Sequence, residues 1–520
     1  MGKFDLQLLD CTLRDGGYVN DWKWGFQCAR EIINSLARAG VEVVEVGFLR
    51  NVEEYNQDIS VCNHIEELNR LLPEKQYENT MFSAMAMRSN YDIEKLSPYC
   101  GHGIEMIRIT AHDYDIKEGL EFALRVKEKG YKVSINPINI MGYSDEDILW
   151  ILKQVNEIHP YQFSIVDTFG SMKRRDLDRI VGIVDNNLDT DIRLALHLHE
   201  NMSLSCCLAQ NFVDYHLRRP VAVDGSLMGM GRIPGNLPIE LIADYLNDYA
   251  DKNYDIDYMM DAIQDYIAPI KGEVHWGYTP AYFLSAKFNL HRNYAEHYLK
   301  KGDLTNRDIN HILSRFDAKK ATVFDAEYAD ALYAEYNNNR IQDTEDRARL
   351  SAELTQKNIL IVAPGRSILE YHDKILNYIE QERPLVIAVN FIPQDIPVDY
   401  AFFSNNKRFD KIEVITCKII ATSNIAGKDI DYRIDYNSVS GAFDQGCNSL
   451  IMLLKLLKEL EAGEIMIAGA DGYTLGGINY CSKNLRNYTA HDNNFNIAVS
   501  EAIDNLGIVP KFLTPSAYDN

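Results

Sequence analysis

The sequence predicts an α/β protein of two parts: an N-terminal (β/α)8 TIM barrel with a helical extension, and a C-terminal doubly wound, Rossmann-like α/β domain. Three observations carry this. The first 225 residues alternate short apolar runs with longer amphipathic stretches. The same rhythm restarts at Lys357 after a helical and then a polar interval. Residues with chemistry to offer fall just past the ends of the apolar runs, where a barrel keeps its reacting groups.

The strand candidates of the first part are Leu6–Leu9, Val41–Val46, Phe82–Met87, Glu105–Ile109, Lys132–Ile135, Gln162–Val166, Arg193–Leu198 and Val221–Val223. Helical patterns such as FQCAREIINSLARAG and Arg175–Val184 lie between them. Eight strands alternating with helices favour a closed barrel of ~250 residues over an open sheet, placed at residues 1–270. From 271 to 336 the strand rhythm stops, and TPAYFLSAKFNLHRNYAEHYLKKG and TNRDINHILSRF read as helices, with Asn306 or Thr305 as N-cap. Residues 337–356 are polar and charged, a linker candidate with a solvated helix. The second domain, 357–520, opens with the buried-strand pattern NILIVAPGRSI. It continues with candidates at Leu385–Val389, Tyr400–Phe403, Glu413–Thr416, Lys418–Ala421 and Glu464–Ala468, and with a helix expected to end at Gly463.

Composition narrows the partners. Apolar residues make up 46% and charged residues 25%, as in a soluble globular protein. A net charge of −23 with no dense basic cluster argues against nucleic acid. The opening MGKFDLQLLD lacks a signal-peptide core, and no apolar run reaches the ~18–20 residues of a membrane span. The nine cysteines form no CxxC motif, so reduced thiols and a cytoplasmic location are expected. A homo-oligomer is expected as well.

Arg14 and Asp15 follow the first strand, and His197 and His199 sit at the end of the seventh. Residues i and i+2 of a strand face the same way, so His-x-His aims two imidazoles at one spot. A carboxylate from the first strand reaches that spot only if the sheet closes. One Asp and two His suit Mn²⁺, Zn²⁺, Co²⁺ or Fe²⁺ better than Ca²⁺. The plain reading of the pair is two ordinary barrel histidines. After the eighth strand, DGSLMGMGRIPGNLPIE is rich in glycine, and Asn236 reads either as a helix N-cap or as a contact to the metal site. Glu45 and Arg108 are strand-end residues that read as interior ion pairs or substrate contacts.

DCTLRDGG, VEVGF, IRIT, VDTFG, LHLHEN and GMGRIPGN, in this order, resemble the metal-dependent pyruvate-type aldolases and Claisen synthases. That group includes 4-hydroxy-2-oxovalerate aldolase, hydroxymethylglutaryl-CoA lyase and isopropylmalate synthase. The resemblance covers roughly residues 5–300. It implies a divalent metal (Mn²⁺ first, with Mg²⁺, Co²⁺ or Zn²⁺ as alternatives) on Asp15, His197 and His199, with Asn236 at or beside it. It implies that Arg14 stabilises an enolate oxygen, and that a 4-hydroxy-2-oxo acid is cleaved to pyruvate and an aldehyde, or formed from them. Where the aldolases have a His after Arg-Asp-Gly, this chain has Tyr18, a poor base with an unperturbed pKa of ~10. His102, His112 and His275 are alternatives for that role. Arg108 is a candidate for a substrate carboxylate, Glu45 and Thr168 for further substrate contacts, and Tyr282 and Tyr294 for a lid.

In the second domain, APGRSI, VIAVNFIP, DYAFFSNNKRF and the stretch from GAFDQG to IAGADGY resemble bacterial sialyltransferase-like, nucleotide-sugar-binding domains. This implies a nucleotide or nucleotide-sugar pocket lined by Gly365, Ser367, Asn390 and Asp471, with phosphate on the turn amides. His491 is a remote candidate base. Two other readings stay open: an acyl-CoA-dependent Claisen synthase of the isopropylmalate or homocitrate synthase type, and a glycosyltransferase-like binding protein with the barrel as scaffold.

Overall fold

A computed structural model describes residues 5–75, 77–302, 304–337, 340–427, 429–440, 448–474, 479–485 and 493–519. His491 and all of GAFDQGC (441–447) lie outside the described residues. The chain divides into two compact units, residues 1–292 with 317–323, and residues 293–316 with 324–520.

The first unit is a closed parallel barrel, and its strands are β1 (Leu6–Asp10), β2 (Val43–Leu49), β3 (Met81–Ala86), β4 (Met106–Ala111), β5 (Lys132–Pro137), β6 (Gln162–Asp167), β7 (Arg193–Leu198) and β8 (Val221–Gly225). Closure is explicit: β1 pairs with β8 along its length and with β2 through Leu9–Val43 and Asp10–Val44. Strand alternation sorts the residues. Leu8, Val44, Ile107, Val133, Phe163, Ile165, Leu194 and Val223 pack outward into the large core shared with the surrounding helices. The inward positions carry a small apolar plug of Leu9, Cys11, Val43 and Met106. Nearer the mouth, the inward side chains are polar.

The long helices around the barrel each present a buried apolar stripe. Phe26–Arg38 buries Ala29, Ile32, Ile33, Leu36 and Ala37, and Arg174–Asn187 buries Leu177, Ile180, Val181 and Val184. A two-residue strand, Val61–Cys62, also pairs with β2, too short for the sequence pattern to reveal.

The second unit holds a parallel sheet of β9 (Ile359–Val362), β10 (Leu385–Val389), β11 (Tyr400–Phe403), β12 (Lys418–Thr422), β13 (Tyr432–Ile434), β14 (Ile465–Ala468) and β15 (Lys511–Phe512). The order is β13-β12-β11-β10-β9-β14-β15, so the chain winds outward from β9 and then crosses to its other side. Alternate residues feed two cores on opposite faces, Ile359 and Ile361 into one, Leu360 and Val362 into the other. This is the doubly wound arrangement.

Three local expectations are corrected and one open choice is decided. Glu413–Thr416 forms no strand; Val414 is 68% and Ile415 42% exposed, so the apolar pair finds no sheet to join. The helix Ser449–Glu459 ends before Gly463, and Glu461 takes the left-handed position (φ 53°). Gly463 instead passes close to the backbone, where a Cβ would meet the Lys357 carbonyl at 2.9 Å. The helix Thr344–Leu354 is not solvated all round, because Leu350 and Leu354 are fully buried in the second core. Of the two N-cap candidates, Thr305 caps: its Oγ1 accepts from the Asp308 amide at 3.0 Å.

Candidate active site

The end of β1 is turned by its own last residue. The Asp10 carboxylate accepts from the Thr12 amide (2.9 Å) and hydroxyl (2.7 Å), starting the one-turn helix Thr12–Asp15. The Thr12 hydroxyl oxygen in turn accepts from the Leu227 amide at 2.8 Å, tying this turn to the loop after β8. Arg14 and Asp15 are thereby carried into the barrel mouth, where they are 6% and 2% exposed. They part company there. Arg14 Nε donates to Glu45 Oε2 at 2.7 Å, while Asp15 Oδ2 faces His197 Nε2 at 3.4 Å and His199 Nε2 at 3.9 Å. Arg14 Nη1 also lies 3.3 Å from Asp15 Oδ2.

Both imidazoles are aimed from behind. His199 Nδ1 donates to the Asp167 carbonyl at 2.9 Å, which leaves the Nε2 lone pair toward Asp15. His197 Nδ1 meets Asp224 Oδ2 at 3.1 Å. Asp224 also takes Arg108 Nη2, and Arg108 reaches Glu45 at 3.1 Å and Asn136 at 3.2 Å. Asp15, His197, Asp224, Arg108, Glu45 and Arg14 thus form one buried, charge-alternating chain. A carboxylate behind a histidine is the support that orients a metal-ligating imidazole.

The electrostatics agree with the geometry. Burial alone would raise Asp15, but the Arg14 guanidinium and the two histidines outweigh it and hold Asp15 well below the usual carboxylate range. Burial lowers His199 to about 3, with His197 adding to the effect, so His199 is neutral. Burial would lower His197 too, but its contacts to Asp15 and Asp224 reverse the sign and raise it.

The loop after β8 closes the site. Asn236 is not an N-cap, since the following helix starts at Ile239 with Pro238 as its cap. Asn236 bridges to His199 through the main chain, its amide nitrogen reaches the Met230 carbonyl at 3.4 Å, and its Oδ1 is buried without a hydrogen-bond partner. Two glycines make room for it: a Cβ at Gly231 would lie 2.3 Å from the Asn236 side chain, and Gly235 sits at φ 110°. Cys11, which the sequence reading passed over, has its Sγ grouped with Asp15 and His197 within 4.8 Å. It donates to the Gly225 carbonyl at 3.2 Å, and burial pushes the thiol up, so it stays protonated.

The oxygen and nitrogen donors that remain fit a divalent cation. Asp15 Oδ2 and Asn236 Oδ1 are buried acceptors with no hydrogen bond, and His199 presents an open lone pair between neighbouring elements. Such a mixed set with places left over suits Mn²⁺, Co²⁺ or Zn²⁺.

Other expected residues fare differently. Arg108 is 1% exposed, and its guanidinium meets Glu45, Asp224 and Asn136 inside the barrel. Glu45, fully buried, is the ion-pair partner of two arginines. Thr168 lines a small cavity beside His199, its hydroxyl oxygen accepting from the Asn139 amide at 2.7 Å. Tyr18 is 40% exposed at the rim, its hydroxyl oxygen accepting from Arg50 at 3.1 Å. His112 follows β4 at the mouth with Nδ1 buried; His102 precedes β4 and so lies at the opposite end; His275 is exposed. Tyr282 is half-buried on the helix Pro280–Lys287. Tyr294 is no lid residue: it is fully buried between Phe316 and Phe324 (centroids 4.4 and 5.0 Å) in the second unit. Asp224, Asn201, Arg232 and Arg292 escaped the sequence reading. Asp224 alone carried a signal, as an acidic residue at the end of a strand candidate.

In the second unit, Gly365, Asn390 and Asp471 line a crevice of about 1070 Å³ beyond the carboxyl ends of the strands. Ser367 does not: its amide and hydroxyl both go to the Asp471 carboxylate. The Gly365 amide donates to the Gly469 carbonyl at 2.8 Å. The Gly365 and Ser367 amides of the turn expected to cradle phosphate are therefore taken, the second by a carboxylate.

Among known proteins, the chain is similar to an oxaloacetate decarboxylase of Mycobacterium tuberculosis, 23% identical over 45% of this chain and 68% of the relative. It is similar to a 4-hydroxy-2-oxovalerate aldolase of Pseudoalteromonas translucida, 22% identical over 45% of this chain and 67% of the relative. Among solved structures, an HMG-CoA lyase of Bacillus subtilis superposes with a TM-score of 0.41 at 14% identity, covering 53% of this chain and 95% of the other. No helix among the described residues is long and apolar enough to cross a membrane. The HMGL-like family model matches residues 5–265, just over half of the 520 residues and the whole of the barrel with its mouth, and the chain belongs to that family.

Proposed function

We propose that the barrel is a divalent-metal-dependent carbon–carbon lyase that cleaves or forms a 4-hydroxy-2-oxo acid, with pyruvate as the enolisable half. The observation that carries this is the convergence of Asp15, His197 and His199 on one buried spot, with the Arg14 guanidinium at its edge. Asp15, His197 and His199 would hold the cation, with Asn236 beside them, and the bound cation would polarise the keto group of the 2-oxo acid. Arg14, locked by Glu45, offers N–H donors where negative charge builds on the substrate oxygen during bond cleavage. Because Glu45 fixes the guanidinium beforehand, no reorganisation is needed as that charge develops. The phenol of Tyr18 carries the proton between the substrate hydroxyl and solvent; Arg50 already donates to its oxygen, so its own O–H is free to turn toward the mouth.

The test is metal analysis of the purified chain, then pyruvate release from a panel of 4-hydroxy-2-oxo acids. Arg14→Gln is expected to lower kcat by about 10²–10³-fold with metal content kept. Release of free CoA from an acyl-CoA and a 2-oxo acid, without pyruvate release, would favour the Claisen synthase instead.

For the second unit we infer a nucleotide or nucleotide-linked ligand in the crevice beside β9, where the strand order reverses. The aromatic wall of Tyr473, Tyr480, Phe495 and Tyr518, and Arg408 with its guanidinium 5.0 Å over the Tyr480 ring, support a flat ring and an anion. The closed Gly365 turn moves the expected anion contact to the Arg408 side. Calorimetric titration of the full chain with CMP, UMP and ADP tests it; no heat from any of them would overturn the reading.

A further inference from the structure

The lyase reading leaves the far end of the substrate unassigned, and the barrel mouth holds a built site for it. Beside His199 lies a narrow cleft, open to solvent, lined by Thr168, Asn201, Arg232 and Arg292 among others. Arg232 is fixed there at both ends. Its main-chain amide donates to Asp15 Oδ1 at 3.3 Å, and its guanidinium donates to His291 Nε2. An arginine is always a donor, so His291 serves as a neutral acceptor at this contact. The guanidinium makes no ion pair with a carboxylate among the described residues, unlike Arg14 and Arg108, which each pair with Glu45 and with Asp15 or Asp224. Asn201 lines the same cavity, is 3% exposed, and its Oδ1 is an acceptor with no hydrogen-bond partner, so it suits a hydroxyl of the ligand beside the anion. A half-buried guanidinium that lines a cavity and has no carboxylate partner among the described residues calls for an anion to complete it.

We propose that this cavity receives an oxyanion, carboxylate or phosphate, at the end of the substrate remote from its 2-oxo acid head, with Arg232 as the specificity-determining contact and Asn201 beside it. The proposal rests on the lyase reading for the placement of the head group at Asp15, His197 and His199. It makes the leaving or accepting aldehyde an acidic one. A neutral aldehyde would leave the Arg232 charge without an anionic partner, and so binds less well.

Three 2-oxo acid probes of matched length test this by calorimetry on the Mn²⁺-loaded full chain, 2-oxopentanoate, 2-oxoglutarate and 2-oxo-4-phosphonobutanoate, with glutarate as the control that lacks the keto group. At least one of the two dianionic probes is expected to bind ten-fold or more tightly than 2-oxopentanoate, and the tighter of the two identifies the anion. In Arg232→Gln that ratio should collapse toward one. Asn201→Asp, which sets a carboxylate beside the guanidinium, should lower it as well and guards against a folding defect in the first variant. Equal affinity for all three probes in the wild type, or a preference that survives Arg232→Gln, overturns the anion site while leaving the 2-oxo acid reading intact. Binding of glutarate that depends on Arg232, with no affinity for any 2-oxo acid, keeps the anion site and sinks the lyase reading. No heat from any probe sinks both.

Discussion

Replacing Asp224 by Asn tests whether the inner charge chain tunes the mouth. Asp224 is 1% exposed, and its Oδ2 serves two donors, His197 Nδ1 at 3.1 Å and Arg108 Nη2. The amide keeps an oxygen for His197 and the same shape, but it removes the charge that raises the basicity of the ring. Losing such a support behind a ligating histidine costs about 10–100-fold in metal affinity, which is about 1.4–2.7 kcal/mol. Folding should suffer separately. Removing one partner of a buried pair costs about 3–5 kcal/mol when the other is orphaned. Arg108 still holds Glu45 at 3.1 Å and Asn136 at 3.2 Å, so the lower end, about 3 kcal/mol, applies. Competition of the variant with a chromogenic chelator measures the first effect, and denaturant titration the second. A variant that binds Mn²⁺ within about two-fold of wild type would refute the idea that Asp224 acts through His197.

Metal loading should release a proton. In the metal-free protein the Asp15 and Asp224 contacts raise His197, so near pH 6 its ring is charged and a cation must displace the Nε2 proton. Titrations in two buffers of different ionisation enthalpy should report about one proton released per cation near pH 6 and less at higher pH; buffer-independent heats would contradict this. Asp10 gives a stability test of the opposite kind to the usual carboxylate. Burial pushes it up to about 7, so its folded-state pKa lies above the unfolded value, and its contribution is complete in acid and fades as pH rises from about 4 to about 7. Asp10→Asn should therefore gain stability relative to wild type across that window, by at most about 4 kcal/mol. A difference that stays constant between pH 5 and pH 8 would show that Asp10 is not held protonated.

The sequence by itself determined the barrel, the second parallel sheet and the pairing of the first strand's end with His-x-His. Local pattern suffices for these, because strand alternation and helical stripes are short-range properties that any neighbour with an apolar face can satisfy. Short-range pattern failed where an element depends on a distant partner. Val61–Cys62 is a strand only because β2 lies beside it, and Glu413–Thr416 is none because no edge receives it. The site divides in the same way. Asp15, His197 and His199 were readable as residue types at strand ends. That Arg108 is consumed by Glu45 and Asp224, that Tyr294 is core, and that Arg232 and Asn201 share a cavity with His199 were decided only by tertiary structure. The physical reason is that a side chain's role depends on which charges and dipoles surround it. In a closed barrel those arrive from strands and loops more than two hundred residues away, as the Asp15–Arg232 contact, 217 residues apart, makes plain.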